Sequence, residues 1–154
     1  MQRPNKLLAA ALLMSAALAG AQLPPERMVL RDLESKSPKK LSKEEVTPLM
    51  AGAKMSRVSG RGNTHFWTND ADGSFIISSD NQGVNAATVG RNRGSTARGK
   101  WQISDDGRYC VLIEWRGLPT EEWCRFIVQT TDGYYAVRSD SVGTEPVYKL
   151  EISK

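Results

Sequence analysis

Two cysteines, Cys110 and Cys124, and one histidine, His65, are the side chains best suited to covalent or acid–base chemistry in this 154-residue chain. A catalytic thiolate or hydroxyl needs an activating base, and His65 is the one imidazole on offer. There is no Gly-x-Ser-x-Gly, no second histidine and no metal-ligand spacing, so no catalytic residue is assigned and His65 reads as a structural or surface side chain. Asp70, Asp72, Asp80, Glu114, Glu121 and Glu122 leave carboxylate catalysis open, although charges at turns are expected in any case. Thr68-Asn69-Asp70-Ala71-Asp72-Gly73 has oxygens at alternate positions before a glycine, as a calcium loop does. Thr68 stands where the first Asp belongs and Ser79 where the closing Glu belongs, so a plain hairpin turn is preferred and no metal or cofactor is expected.

Binding chemistry has more candidates. Arg57, Arg61, Arg91, Arg93, Arg98 and Lys100 flank a stretch, Asp80 to Ser95, that holds three Gly and three Asn. Together they make a candidate basic rim suited to an acidic glycan, a lipid head group or an acidic protein surface. Trp67, Trp101, Trp115 and Trp123 either fill a core or stack a flat ligand. From these sets Arg91, Arg93, Arg98, Trp67 and Trp101 are the candidate binding residues.

The start of the chain bears on where such chemistry would operate. Arg3 and Lys6 precede an apolar run from Leu7 to Met14 that continues through Leu18 and ends in Ala19-Gly20-Ala21. This is the n-region, h-region and small-residue site of a secretory signal, with cleavage after Ala21. About 12 apolar residues fall short of the roughly 20 that span a bilayer, so no stable membrane anchor is expected after cleavage. Loss of Arg3 and Lys6 lowers the formal balance of +4 by two. No block of like charge remains, and a nucleic-acid partner is not implied. A periplasmic or secreted address is oxidising, which makes a Cys110–Cys124 disulfide the default reading over a reactive thiol.

Three segments follow: a signal peptide at 1–21, a flexible leader at 22–40 and a single β-rich domain at 41–154, the size of one hydrophobic core. Leu41-Ser42-Lys43-Glu44-Glu45-Val46 predicts a helix start, with a capping box between Ser42 and Glu45 and a hydrophobic staple between Leu41 and Val46. Pro48 limits this helix to about two turns, and Gly52 ends it. Beyond it, β-branched and aromatic runs predict strands near Lys54–Ser59, Thr64–Thr68, Ser74–Ser79, Ala97–Ser104, Arg108–Trp115, Trp123–Thr130, Tyr134–Ser139 and Val147–Ile152. Turns at Asp70–Gly73, Asp105–Gly107 and Thr131–Gly133 join them as hairpins. The fold class is therefore all-β: an antiparallel up-and-down meander closing as a lipocalin-like barrel of about eight strands with one short N-terminal helix. An open sandwich is the alternative.

A hairpin centred near Gly117 pairs residues whose numbers sum to about 234, and Cys110 and Cys124 satisfy that sum. A bridge there would close a loop of about 15 residues, worth about 3 kcal/mol in the chain-entropy model. Strand alternation puts Cys110, Leu112, Cys124, Phe126 and Val128 on one face. Tyr109, Val111, Ile113, Trp115, Trp123 and Ile127 fall on the other.

Leu41-Ser42 with Glu44-Glu45 and Gly52, Phe66 with Asp72-Gly73 and Phe75, Gly99-Lys100-Trp101, Gly107 with Cys110, Trp115 and Cys124 occur in an order that resembles the domain-of-unknown-function 995 family of small bacterial periplasmic proteins. The resemblance covers roughly Leu41 to Tyr148. It implies an exported β-rich domain with a paired-cysteine hairpin, and it carries no activity and no catalytic residues. Two classes of function are expected to compete: an exported non-catalytic envelope protein binding a small ligand, glycan or protein partner, or a periplasmic hydrolase using paired carboxylates. An apolar or basic-rimmed pocket favours the first and two carboxylates at the base of a cleft favour the second.

Overall fold

A computed structural model describes residues 27–83 and 94–154. The one α-helix among the described residues, α1 (Lys43–Met50), starts where the capping box places it: the Ser42 amide donates to Glu45 Oε2 at 2.9 Å and the Glu45 amide to Ser42 Oγ at 3.4 Å. Leu41 and Val46 are both buried, as a hydrophobic staple requires. Pro48 lies inside the helix, and its last carbonyls find a partner in the Lys154 ammonium, which donates to Pro48 O at 2.7 Å and to Ala51 O. A cation at this end also suits the helix dipole.

The described residues also form nine strands: β1 (Lys39–Lys40), β2 (Lys54–Val58), β3 (Thr64–Thr68), β4 (Ser74–Ser79), β5 (Ser95–Ile103), β6 (Tyr109–Glu114), β7 (Glu121–Thr130), β8 (Gly133–Val137) and β9 (Val147–Ser153). Strands β2 to β9 coincide with the eight expected, with β5 and β7 each beginning two residues earlier than the sequence pattern indicates. Consecutive strands from β2 to β9 pair antiparallel, and β9 returns to β2. Strand β7 pairs with β6 along Glu121–Arg125 and with β8 along Phe126–Thr130, so the eight strands close on themselves as a barrel. Strand β1 is an addition that lies on the free edge of β7, with Lys39 opposite Gln129. Closure removes the exposed edges that a sandwich would keep.

The hairpin turns at 69–73, 104–108 and 131–132 gather at one end of the barrel, and α1 plugs it. Val46 and Met50 on the helix pack with Met55, Trp67, Phe75, Ile77, Tyr109, Val111, Ile113 and Ile127 from the inner wall. Gly107, at φ +83°, brings the β5–β6 turn against the start of the helix, where an added Cβ would sit 3.1 Å from the Lys43 nitrogen. Gly99 leaves room inside the barrel for the Phe75 ring, whose atoms approach to 2.1 Å of where a Cβ would be.

A second apolar cluster lies on the outer wall. Part of the stretch expected as a flexible leader, Leu30–Lys36, forms a 3-10 helix whose Leu33 is fully buried against Phe126, Val128, Tyr135, Val137 and Val147. Its signal in the sequence is slight, because Leu30 and Leu33 are its only apolar residues and one short 3-10 segment shows no sustained period. The proposed signal segment, 1–21, and the arginines Arg91 and Arg93 lie outside the described residues. No helix among the described residues is long and apolar enough to cross a membrane.

Candidate functional site

At the other end of the barrel no described residue forms a plug comparable to α1. The β2–β3 turn at 59–63 and the β6–β7 turn at 115–120 surround a cavity of about 400 Å³, within the ordinary range of small-molecule pockets of about 300–1,000 Å³. Trp115, Leu118 and Pro119 give it an apolar wall. Arg57, His65 and Glu121 form its floor, and Ser79, Asn81 and Ser95 also line it.

Strand alternation explains how these side chains point inward. Met55 is buried on the inner face of β2, so Arg57, two residues on, shares that face; His65 and Trp67 stand in the same relation on β3. On β7, Glu121 is opposite Ile113 and Trp123 opposite Val111, both buried inner-wall residues. The register of β2 on β9 ends at Ser56, and that of β7 on β8 begins at Phe126. The upper halves of β2 and β7 thus meet across an unpaired seam, and side chains rather than backbone bridge it. A smaller cavity of about 210 Å³ opens there, lined by Arg57, Glu121, Trp123, Arg125, Tyr148 and Leu150.

Glu121 is the centre of this arrangement. The Arg57 guanidinium ion-pairs with its carboxylate, the Trp123 indole donates to Oε1 at 3.2 Å and the Trp115 indole to Oε2 at 3.3 Å. Arg57 also lies 5.1 Å over the Trp123 ring, a cation–π contact. Burial acts to raise the Glu121 carboxyl, but the charge of Arg57 and these hydrogen bonds outweigh it and hold the group below its ordinary value. It is ionised at neutral pH.

His65 is 6 % exposed and its ring centroid lies 5.4 Å from that of Trp115. Burial lowers its pKa, the nearby Arg57 lowers it further, and Glu121 and Asp80 offset this only in part. The imidazole is neutral at pH 7. Its Nδ1 is buried with no protein partner, as is Nε of Arg57. Buried polar atoms in proteins are nearly always hydrogen-bonded, so two such atoms on directly opposed residues mark a place where the described residues do not complete their own bonding.

The residues singled out from the sequence are distributed elsewhere. Trp67 is buried in the barrel centre, its indole donating to Asn69 Oδ1 and to the Tyr109 hydroxyl, both at 3.1 Å. Trp101 faces inward near the plugged end and donates to Asp70 O at 2.9 Å. Arg98 is on the outer wall between Ile76 and Glu114. None of the three lines the mouth. Of the expected basic rim, Arg57 and Arg61 line it. Asp70, Asp72 and Gly73 make a hairpin turn, in which Asp72 accepts from the Ser74 amide and hydroxyl. Cys110 and Cys124 are opposite each other on β6 and β7 and form a disulfide, with Cα atoms 4.0 Å apart, the close spacing of a pair that exchanges no backbone hydrogen bonds.

The sequence pattern alone counts Glu121 only as one of six carboxylates open to catalysis, not among the candidate binding residues, and makes His65 structural or surface. The usable signal is inward parity with Trp123 and Trp67, respectively, once the strands are placed.

A protein-family model described as "Protein of unknown function (DUF995)" matches residues 27–125. It begins upstream of Leu41, taking in the 3-10 helix, and ends on β7. Neither the curated proteins nor the solved structures contain a match.

Proposed function

Since the chain belongs to the DUF995 family, described only as proteins of unknown function, we infer its role from its own geometry: an exported, non-catalytic envelope protein that binds a small ligand in the mouth of the barrel. One observation carries this reading. One end of the barrel is plugged by α1, and the other holds, among the described residues, a cavity of about 400 Å³ whose wall is apolar and whose floor contains buried polar atoms with no hydrogen-bond partner among those residues. An apolar wall with a few convergent polar groups is the usual composition of a ligand site. The signal-like N-terminus and the disulfide support export.

The hydrolase alternative needs two carboxylates facing the reacting bond, one free to act as a base or nucleophile. Among the described residues lining the mouth, Glu121 is the one carboxylate, and Arg57 and two indoles already engage it. That favours binding. A glycan remains within the ligand class, because Trp115 offers a ring face and the floor offers polar edges.

Native mass spectrometry of the unreduced protein, purified from its own source, tests the reading. A retained small molecule is expected on the wild type and lost from Leu118→Asp, a change at an exposed position that puts charge on the apolar wall. A protein that carries nothing, and whose tryptophan fluorescence no small cyclic compound perturbs, would remove the binding role.

A further inference from the structure

Three N–H donors from β2, the β6–β7 turn and β7 converge on one carboxylate at the floor of the mouth: Arg57, Trp115 and Trp123 on Glu121. This is a complete carboxylate-recognition site, and the chain fills it with its own side chain. The donors and the acceptor are not held equally. The Arg57 side chain is 15 % exposed and packed over Trp123, whereas that of Glu121 is 33 % exposed. Glu121 is also the first residue of β7, directly after the turn at 115–120. Arg57 and Trp123, packed on each other within β2 and β7, are the fixed part, and the carboxylate is the part that can turn outward.

A ligand bearing its own carboxylate can exchange with Glu121. The guanidinium keeps an anionic partner and the indoles keep an acceptor. Glu121 moves to water, where a charged carboxylate is well solvated. A neutral or cationic ligand offers no such exchange: for it to displace Glu121 would leave a largely buried guanidinium unpaired, a costly state. The apolar wall of Trp115, Leu118 and Pro119 is suited to the body of the same molecule. The geometry points to Glu121 as a resident stand-in for a ligand's carboxylate, and to small ring-bearing carboxylic acids as the ligand class of the mouth. This rests on the reading of the mouth as a binding site, and makes Glu121 a competitor of the ligand instead of one of its contacts.

The direction of a single substitution separates the two. Removing a contact weakens binding; removing a competitor strengthens it. If Glu121 occupies the donors about 90–99 % of the time, its removal tightens binding about 10- to 100-fold. The experiment titrates wild type, Glu121→Ala and Glu121→Gln with benzoate and with its neutral counterpart benzamide, following tryptophan fluorescence and calorimetric heat. Benzoate is expected to bind Glu121→Ala about 10- to 100-fold more tightly than wild type, and Glu121→Gln by a smaller factor, because the amide oxygen still accepts from the indoles. Benzamide is expected to bind all three alike. Benzoate binding that is unchanged or weaker in the folded variants, while benzamide or another ring compound still binds, overturns the stand-in and leaves the mouth as a binding site. Absence of binding by either probe and by other ring compounds in every folded form overturns both. Should neither variant fold, the wild type decides alone: the Glu121 carboxyl carbon resonance must move as benzoate saturates, and a resonance that stays in place overturns the exchange.

Discussion

The two ends of the barrel interior use the same chemistry to opposite effect. At the plugged end, Asn69 Oδ1 accepts from the Trp67 indole at 3.1 Å and from the Tyr109 hydroxyl at 2.8 Å, and Asn69 Nδ2 donates to Met50 O at 3.0 Å. All three side chains are buried and mutually satisfied, and burial raises the Tyr109 phenol well above its ordinary value, so it remains a neutral hydroxyl. At the open end, indoles again donate to a side-chain oxygen. There the acceptor is a charged carboxylate at the edge of a cavity, and neighbouring atoms of Arg57 and His65 have no protein partner. A closed polar network fixes one structure; an incomplete one beside a cavity leaves bonding capacity for something else. The plugged end is the scaffold and the mouth is the proposed site.

The largest loss should therefore come from the centre of the plugged-end network. Asn69→Ala strands two buried donors and the Met50 carbonyl, and is expected to lower unfolding free energy by about 3–5 kcal/mol in a urea titration. Tyr109→Phe removes one hydroxyl and should cost about 1–2 kcal/mol. A loss at the mouth as large as that of Asn69→Ala would break the distinction.

Removing the disulfide comes next in size. The bridge ties β6 to β7 through Cys110 and Cys124, on the hairpin that carries Trp115, Leu118, Pro119 and Glu121. Replacing both cysteines with Ala is expected to cost about 3 kcal/mol, mostly through a freer unfolded chain. Because the bridge lies on the outer face, benzoate affinity measured below the unfolding transition should stay close to that of the disulfide-bonded protein. A large loss of affinity would show that the bridge also shapes the mouth.

At the mouth itself, Arg57→Met leaves Glu121 charged with only indole partners and is expected to cost about 1–2 kcal/mol, reduced from the deeply buried case because Glu121 is partly solvated. Adding Glu121→Gln removes the stranded charge and should recover most of that loss, since a buried pair replaced as a unit is often near neutral. Chemical unfolding of both variants measures this. A double variant no more stable than Arg57→Met would mean the pair holds the seam together by itself.

The sequence displays the scaffold more openly than the site, for physical reasons. Ser42 and Glu45 announce α1 within four residues, and the Asp-Gly turns mark hairpins locally. The register that opposes Cys110 to Cys124 follows from one turn near Gly117. The mouth is assembled from residues 57, 65, 115 and 121, on separate strands and a turn, and barrel closure has no fixed sequence spacing. Arg57 and Arg98 look alike in the chain; only strand parity sends one to the cavity floor and the other to the outer wall. Glu121 sits beside Pro119 and Thr120 and reads as a turn residue, yet pairing with Ile113 makes it the first inward position of β7. Leu30 and Leu33 give too short an apolar pattern to reveal the 3-10 helix that covers Phe126 and Val128.

The smallest expected effect is also the cleanest, because His65 is the only histidine in the chain. Its folded pKa is lowered from the ordinary 6.5, so above that pH folded and unfolded forms are both neutral and the group adds nothing to the pH dependence. As pH falls below 6.5 the unfolded chain takes up a proton that the folded protein resists, and stability declines until the folded pKa is passed. Carboxylates act lower: Asp80, Asp132 and Glu121 are held below their ordinary values of 3.8 to 4.5, so their stabilisation is present above that range and lost as pH falls through it. Between pH 7.5 and 5.5 the histidine is thus nearly isolated. Wild type is expected to lose up to about 1.4 kcal/mol over that interval, and His65→Gln much less. A loss of the same size in both would place the acid sensitivity elsewhere, and would mean that His65 is solvated well enough to titrate normally, contrary to its burial at the floor of the mouth.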